Sequence, residues 1–198
     1  MRDFPIEYRH EAQCPLQVVI FAENESETIF PPIAWHVVEH LGLNGWHRAT
    51  VTAASAVHAR VPGGASAILA LQQEADLTLA ATKQNGVSLV QVARGSARRI
   101  SVLNTIDDPD PLAMIDLELW LDGGRYMQTS IAAKDGTRAT LAIPPAISFA
   151  LATGAAKGAP LNMAELQSVT PFEFGTLHAL RVALIRNDRG DYQFVGRL

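Results

Sequence analysis

Short turn signals punctuate this chain and limit what it can fold into. Asn85-Gly86, Asp122-Gly123-Gly124, Lys134-Asp135-Gly136 and Asn187-Asp188-Arg189-Gly190 lead into or join runs rich in β-branched or alternating apolar residues. Leu77, Leu79 and Ala81 alternate up to Asn85-Gly86, and Val87, Leu89 and Gln91 continue beyond it, which is the pattern of a two-residue hairpin. Further strands are expected at 16–22, 98–106, 113–121, 125–133, 137–143, 176–185 and 192–195. Strands joined by consecutive short turns pair antiparallel. Arg189-Gly190-Asp191 has the letters of an adhesion motif, but it falls in one of these turns and reads as part of a hairpin.

Helices are expected where proline opens a segment and glycine closes it. Proline costs least in the first helical turn, whose N–H groups have no partner anyway, and glycine suits the stop. Segments 31–42 and 144–154 have this form, and the Ala/Leu-rich 65–75 suggests a third helix. The predicted fold class is therefore α+β, a mainly antiparallel sheet with two or three helices, in a single domain spanning 1–198. Gln17 to Ala22 followed by Pro31-Pro32 parallels Gln128 to Ala133 followed by Pro144-Pro145. The parallel suggests two pseudo-repeated halves, an internal duplication of about 16–95 and 113–198. Segment 144–154 has no charged residue, and Ile147, Phe149, Ala150 and Leu151 surround most of a helical wheel, so it should be buried on more than one side.

Composition narrows the classes of function. Hydrophobic residues are 48% of the 198 and charged ones 18%, enough for a sizeable core. The net charge of -4 gives no general attraction to phosphates, so nucleic-acid partners are not expected. Lone Cys14 cannot form an internal disulfide, which points to a reducing, cytoplasmic setting. The N-terminal residues are charged and interrupted by Pro5, unlike a secretory leader, and the uncharged run 139–156 is broken by Pro144-Pro145, so no membrane association is expected.

The sharpest local motif is His36-Val37-Val38-Glu39-His40. On a helix, His36 and His40 would lie one turn apart on one face and could bind one zinc ion, and Glu39 beside them could act on a metal-bound water. With Leu41 following and Gly45 five residues after His40, the motif resembles, over about ten residues, the inverted zinc motif of the pitrilysin and insulinase-like metallopeptidases. That resemblance implies His36 and His40 as zinc ligands, Glu39 as catalytic base and a downstream glutamate as third ligand, with Glu74 and Glu118 as the glutamates to consider. The plainer reading is an amphipathic surface helix. Ile33, Ala34, Val37, Val38 and Leu41 fill one arc of the wheel, and Trp35, His36, Glu39 and His40 fill the other. A metal would then need His47, His58 or Glu74 to meet the polar arc.

Other groupings carry less. His10 and Cys14 sketch a base and a nucleophile without an oxyanion-hole signature. Arg94, Arg98 and Arg99 fit edge protection of a strand better than anion binding. Asp107, Asp108 and Asp110, interleaved with prolines, read as a solvated loop without calcium-loop spacing. No phosphate-binding glycine loop and no nucleophile elbow is present. The expected function is a self-associating binding or assembly module, a homo-oligomer without a complete catalytic set. The alternative is a zinc-dependent hydrolase using His36, Glu39 and His40.

Overall fold

The computed structural model describes residues 3–22, 31–39, 41–51, 55–66, 68–71, 75–81, 87–94, 99–142, 146–173 and 178–197. Among them are seventeen strands, one 3₁₀ turn at Met163–Glu165 and no α-helix. The protein is nearly all β, which corrects the α+β expectation and its two or three helices. Internal contacts divide it into two compact units. An inserted unit lies within Ala53–Ile143, and a flanking unit is assembled from Arg2–Asn24, Pro31–Thr52 and Pro144–Leu198. Of the two segments compared for duplication, 17–22 belongs to the flanking unit and 128–133 to the inserted one.

The flanking unit consists of two four-stranded sheets. One has the order β17 (Tyr192–Arg197), β16 (Leu180–Arg186), β1 (Phe4–His10), β4 (Trp46–Val51). The other has the order β15 (Gln167–Glu173), β14 (Ala146–Ala152), β2 (Gln17–Phe21), β3 (His36–Val38). Strand β1 alternates strictly, burying Phe4, Ile6, Tyr8 and His10 and turning Pro5, Glu7 and Arg9 outward. It runs parallel to β16 and antiparallel to β4. Phe149 on β14 links the two sheets, with ring centroids 6.0 Å from Tyr8 and 5.6 Å from Phe194.

The second of these sheets shows why 144–154 looks helical in sequence. Phe149 and Leu151 pair with Ile20 and Val18 on one face. On the other face Ala150, Ala152, Val19 and Phe21 pack with Ala34 and Leu161. A strand buried on both faces has the continuous apolar run of a buried helix, and periodicity cannot separate the two. The expected burial of Ile147, Phe149, Ala150 and Leu151 holds, but β14 supplies it where a helix was predicted.

Segment 31–42 departs from helix for a related reason. Residues 34–35 bond across to β2 and to residues 158–159: Trp35 N–H donates to Ile20 O at 3.0 Å, Ala34 N–H to Ala159 O at 2.9 Å, and Gly158 N–H to Ala34 O at 2.7 Å, and residues 36–38 form β3. Hydrogen bonds of this kind to distant parts of the sequence outweigh the weak local preference set by a proline start. Trp35, placed by the helical wheel on the solvent arc, is fully buried.

The inserted unit likewise has two sheets. The order of one is β13 (Arg138–Ala142), β10 (Arg99–Asn104), β8 (Ala75–Ala81), β9 (Val87–Arg94). The other runs β12 (Gly124–Ala132), β11 (Met114–Leu121), β5 (Ser55–Val61), β6 (Gly64–Ala65), with β7 (Leu69–Leu71) also on β5. Pairing is antiparallel except between β8 and β10. The expected hairpin at Asp122-Gly123 is present, with φ of 47° and 66° at the two turn residues. Both values lie in the left-handed region that matches strand twist, where glycine pays no steric penalty. Among the described residues of the predicted helix at 65–75 are the end of the short β6, all of β7 and the start of β8, and no helix. Inward residues of β11 (Ile115, Leu117, Leu119 and Leu121) are all buried, leaving Asp116, Glu118 and Trp120 on the opposite face. No helix among the described residues is long and apolar enough to cross a membrane.

Candidate functional site

Two constellations gather the chemistry-bearing side chains, one in each unit. The larger lies on the polar face of β5, β11 and β12. In this antiparallel register Glu118 stands opposite His58 on one side and Gln128 on the other. Side chains at such positions are near neighbours, so sheet pairing alone builds the row. Both carboxylate oxygens of Glu118 are occupied. Oε1 accepts from Arg125 Nη1 at 3.0 Å and forms an ion pair with Arg60 Nε at 3.2 Å, while Oε2 accepts from Trp120 Nε1 at 3.1 Å and His58 Nδ1 at 3.2 Å.

Glu118 is only 1% exposed. Burial pushes its carboxyl upward, but the His58 and Trp120 hydrogen bonds, the Arg60 charge and the Arg125 hydrogen bond together hold it below its ordinary value. The group is therefore ionised and acceptor-only, so the bonded Nδ1 of His58 carries the proton. Arg125 Nη1 also donates to Gln128 Oε1 at 3.2 Å, and Ser130 Oγ donates to Asp116. With three hydrogen bonds and an ion pair on two oxygens, this carboxylate is used in holding the network and is not placed to serve as a metal ligand or general base.

The second constellation, in the flanking unit, contains the motif histidine. His36 is on β3, and its ring lies 5.2 Å from that of His47 on β4 and 4.4 Å from that of Trp35. Burial first, then the nearby His47 and Lys157, push the His36 imidazole down to about 4, so it is neutral at physiological pH. Glu39 is exposed and turned to Gln17, whose Nε2 donates to its Oε1 at 2.7 Å. Gln17 in turn accepts from the Ala155 N–H at 2.7 Å.

His40 and Glu74 lie outside the described residues. The structure brings His47 to His36 in one unit and His58 to Glu118 in the other. The one-turn helical spacing invoked for His36 and His40 has no helix beneath it, since residues 36–38 form a strand. Among the described residues, no three His, Cys, Asp or Glu side chains converge as a metal-holding group.

The remaining candidates are engaged elsewhere. Tyr8 Oη lies 3.3 Å from His10 Nδ1 in the core, and burial followed by the Cys14 thiol pushes the Tyr8 phenol upward. Asp108 and Asp110 cap their own loop, accepting at 2.9 Å from the N–H groups of Asp110 and Leu112. Arg94 ends edge strand β9, the exposed Arg99 opens interior strand β10, and Arg98 is outside the described residues. The sequence reading missed Arg60, Trp120, Arg125 and Gln128. Their signal was the alternation Asp116-x-Glu118-x-Trp120 facing His58-x-Arg60, legible once β5 and β11 are paired.

Fold and site define a two-unit, nearly all-β chain with a closed polar network in one unit and a buried, neutral His36 beside a second histidine in the other. No protein-family model, no curated protein and no solved structure matches it.

Proposed function

We propose that this chain is a binding or assembly module that works by self-association. The observation that carries this reading is the contrast on the inserted unit between saturated polar chemistry and open apolar surface. Its most elaborate constellation is closed on Glu118, whereas Ile68, Val90, Val92, Leu112 and Met114 are each exposed by half or more. Large apolar side chains left in water are stabilised by a partner. Light scattering and sedimentation of the purified chain test the reading. A concentration-dependent oligomer at micromolar protein is expected, and a monomer throughout that range overturns it.

The zinc-hydrolase reading, with His36 and His40 as ligands and Glu39 as base, retains one supporting observation. A second imidazole, His47, lies within 5.2 Å of His36, close enough to share a metal. Metal analysis of tag-free protein purified without chelator separates the readings. Stoichiometric zinc that vanishes in His36→Ala favours the hydrolase, and metal-free protein removes it.

A further inference from the structure

We infer that the solvent face of the sheet β17, β16, β1, β4 binds single-stranded nucleic acid, its arginines taking the phosphates and Trp46 a base. The inference goes beyond self-association and does not rest on it. Strand register builds the face. Glu7 on β1 stands opposite Arg48 on β4 and Arg181 on β16, and Arg181 stands opposite Arg197 on β17. These four residues form one row across the whole sheet, about 14 Å long at the usual strand spacing. Beside the row, Arg9 stands opposite Trp46.

The cations lie outermost. Glu7 pairs with the Nε of both Arg48 and Arg181 at 3.2 Å, and Glu11 pairs with Arg9 at 3.5 Å and with Arg197. The glutamate side chains are 23% and 25% exposed, against 39% for Arg9, 51% for Arg197, 56% for Arg181 and 79% for Arg48. The carboxylates hold the guanidiniums from beneath, so water meets the positive groups. Among the described residues Arg48 and Arg181 reach Glu7 through Nε, which leaves their terminal nitrogens with donor capacity for an incoming oxygen. Arg181 directly opposite Arg197 is a like-charge pairing that costs a sheet stability, and an anion lying across both offsets it.

The net charge of -4 gave no reason to expect a nucleic-acid partner, but that charge is segregated. Four arginines and two glutamates give the ladder +2, so the rest of the chain carries -6. The attraction to phosphates is therefore local to this face. Trp46 selects the occupant. It is 53% exposed although the Arg9 guanidinium lies over its ring, 5.4 Å from the centroid. An acidic peptide would use the arginines and leave this ring in water. A nucleotide strand brings phosphates for the row and a flat base for the ring, which is two residues along β4 from Arg48, about 7 Å. Open sheet faces that combine aromatic and cationic side chains hold single strands in this way.

The test is fluorescence anisotropy with the full chain and a labelled single-stranded oligothymidylate at about 50 mM salt. Binding that weakens steeply as salt rises is expected. Arg48→Gln combined with Arg181→Gln should lower affinity about tenfold or more, and Trp46→Ala about tenfold. Arg138→Gln removes an exposed charge from the inserted unit and should leave affinity within about twofold. Circular dichroism and thermal melts establish that each variant is folded. If the double variant unfolds, Arg48→Gln alone, the most exposed of the four, should still cost about threefold. Losses in the face variants with binding kept in Arg138→Gln support the inference. No binding by the wild-type chain overturns it, as does an equal loss in Arg138→Gln. Poly-glutamate that competes as well as unlabelled oligothymidylate, with no effect of Trp46→Ala, assigns the face to an acidic protein segment and overturns the nucleic-acid occupant. Light scattering reads self-association separately, so the two readings fail independently.

Discussion

The two units bury ionisable groups in opposite ways. In the inserted unit Glu118 keeps its charge beneath the surface because three hydrogen bonds and the Arg60 ion pair replace the water it has lost. In the flanking unit His36 is buried between Trp35 and His47 with Lys157 nearby, all neutral or cationic neighbours, and it stays uncharged. Burial thus costs the two groups differently. An acid surrounded by bases stays ionised, and a base surrounded by bases gives up its proton. One arrangement depends on every partner being present, the other on pH.

The largest effect should come from the apolar centre of the flanking unit. Phe149→Ala removes a fully buried ring that contacts Tyr8, Phe172 and Phe194, and should cost about 3–5 kcal/mol of stability in chemical denaturation. A cost below about 1 kcal/mol would mean that the aromatic contacts do not hold this unit together.

Glu118→Ala comes next, at about 3 kcal/mol, because it leaves the Trp120, Arg125 and His58 donors in a partly buried site without their acceptor. If the cost instead fell within about 0.5 kcal/mol, the network would be a surface ornament and the contrast between the units would collapse.

Acid should separate the units. His36 titrates near 4 when folded against an ordinary 6.5, so between those values the unfolded chain binds a proton that the folded chain does not. The stability of the flanking unit is therefore complete above about pH 6.5 and declines as pH falls towards 4, by up to about 3 kcal/mol. Glu118 has the opposite sign of charge. Its folded value is held below the ordinary 4.5, so its contribution is present above that pH and is lost only as pH falls further. Denaturant midpoints measured from pH 7.5 to 4 should drop for wild type and flatten in His36→Gln. An unchanged wild-type midpoint over that range would end the comparison.

Arg60→Ala should have the smallest effect. Its side chain is more than half exposed, and water screens its pairing with Glu118, so the expected loss is under about 1 kcal/mol against a larger one for Arg125→Ala. Equal losses for the two would show that exposure does not rank the donors.

By itself the sequence determined where most strands and turns lie. The Asp122-Gly123 and Asn187–Gly190 turns have local causes: a positive φ that glycine tolerates and an Asn187 side chain accepting from the Arg189 and Asp191 N–H groups. Strand β1 was not among the expected strands: Pro5 and the outward charges obscured the alternation of Phe4, Ile6, Tyr8 and His10. Tertiary structure decided the three segments read as helix. Whether β14 or the chain around His36 extends or coils depends on hydrogen bonds to partners far away in sequence, and burial on both faces erases the period that would tell them apart. The same holds for the site residues. His47 and Glu118 were candidate ligands, but their actual partners are decided by tertiary structure: His36 and His47, 11 positions apart, meet from strands of two different sheets, and strand register sets Glu118 opposite His58, 60 positions away, which no local spacing relates.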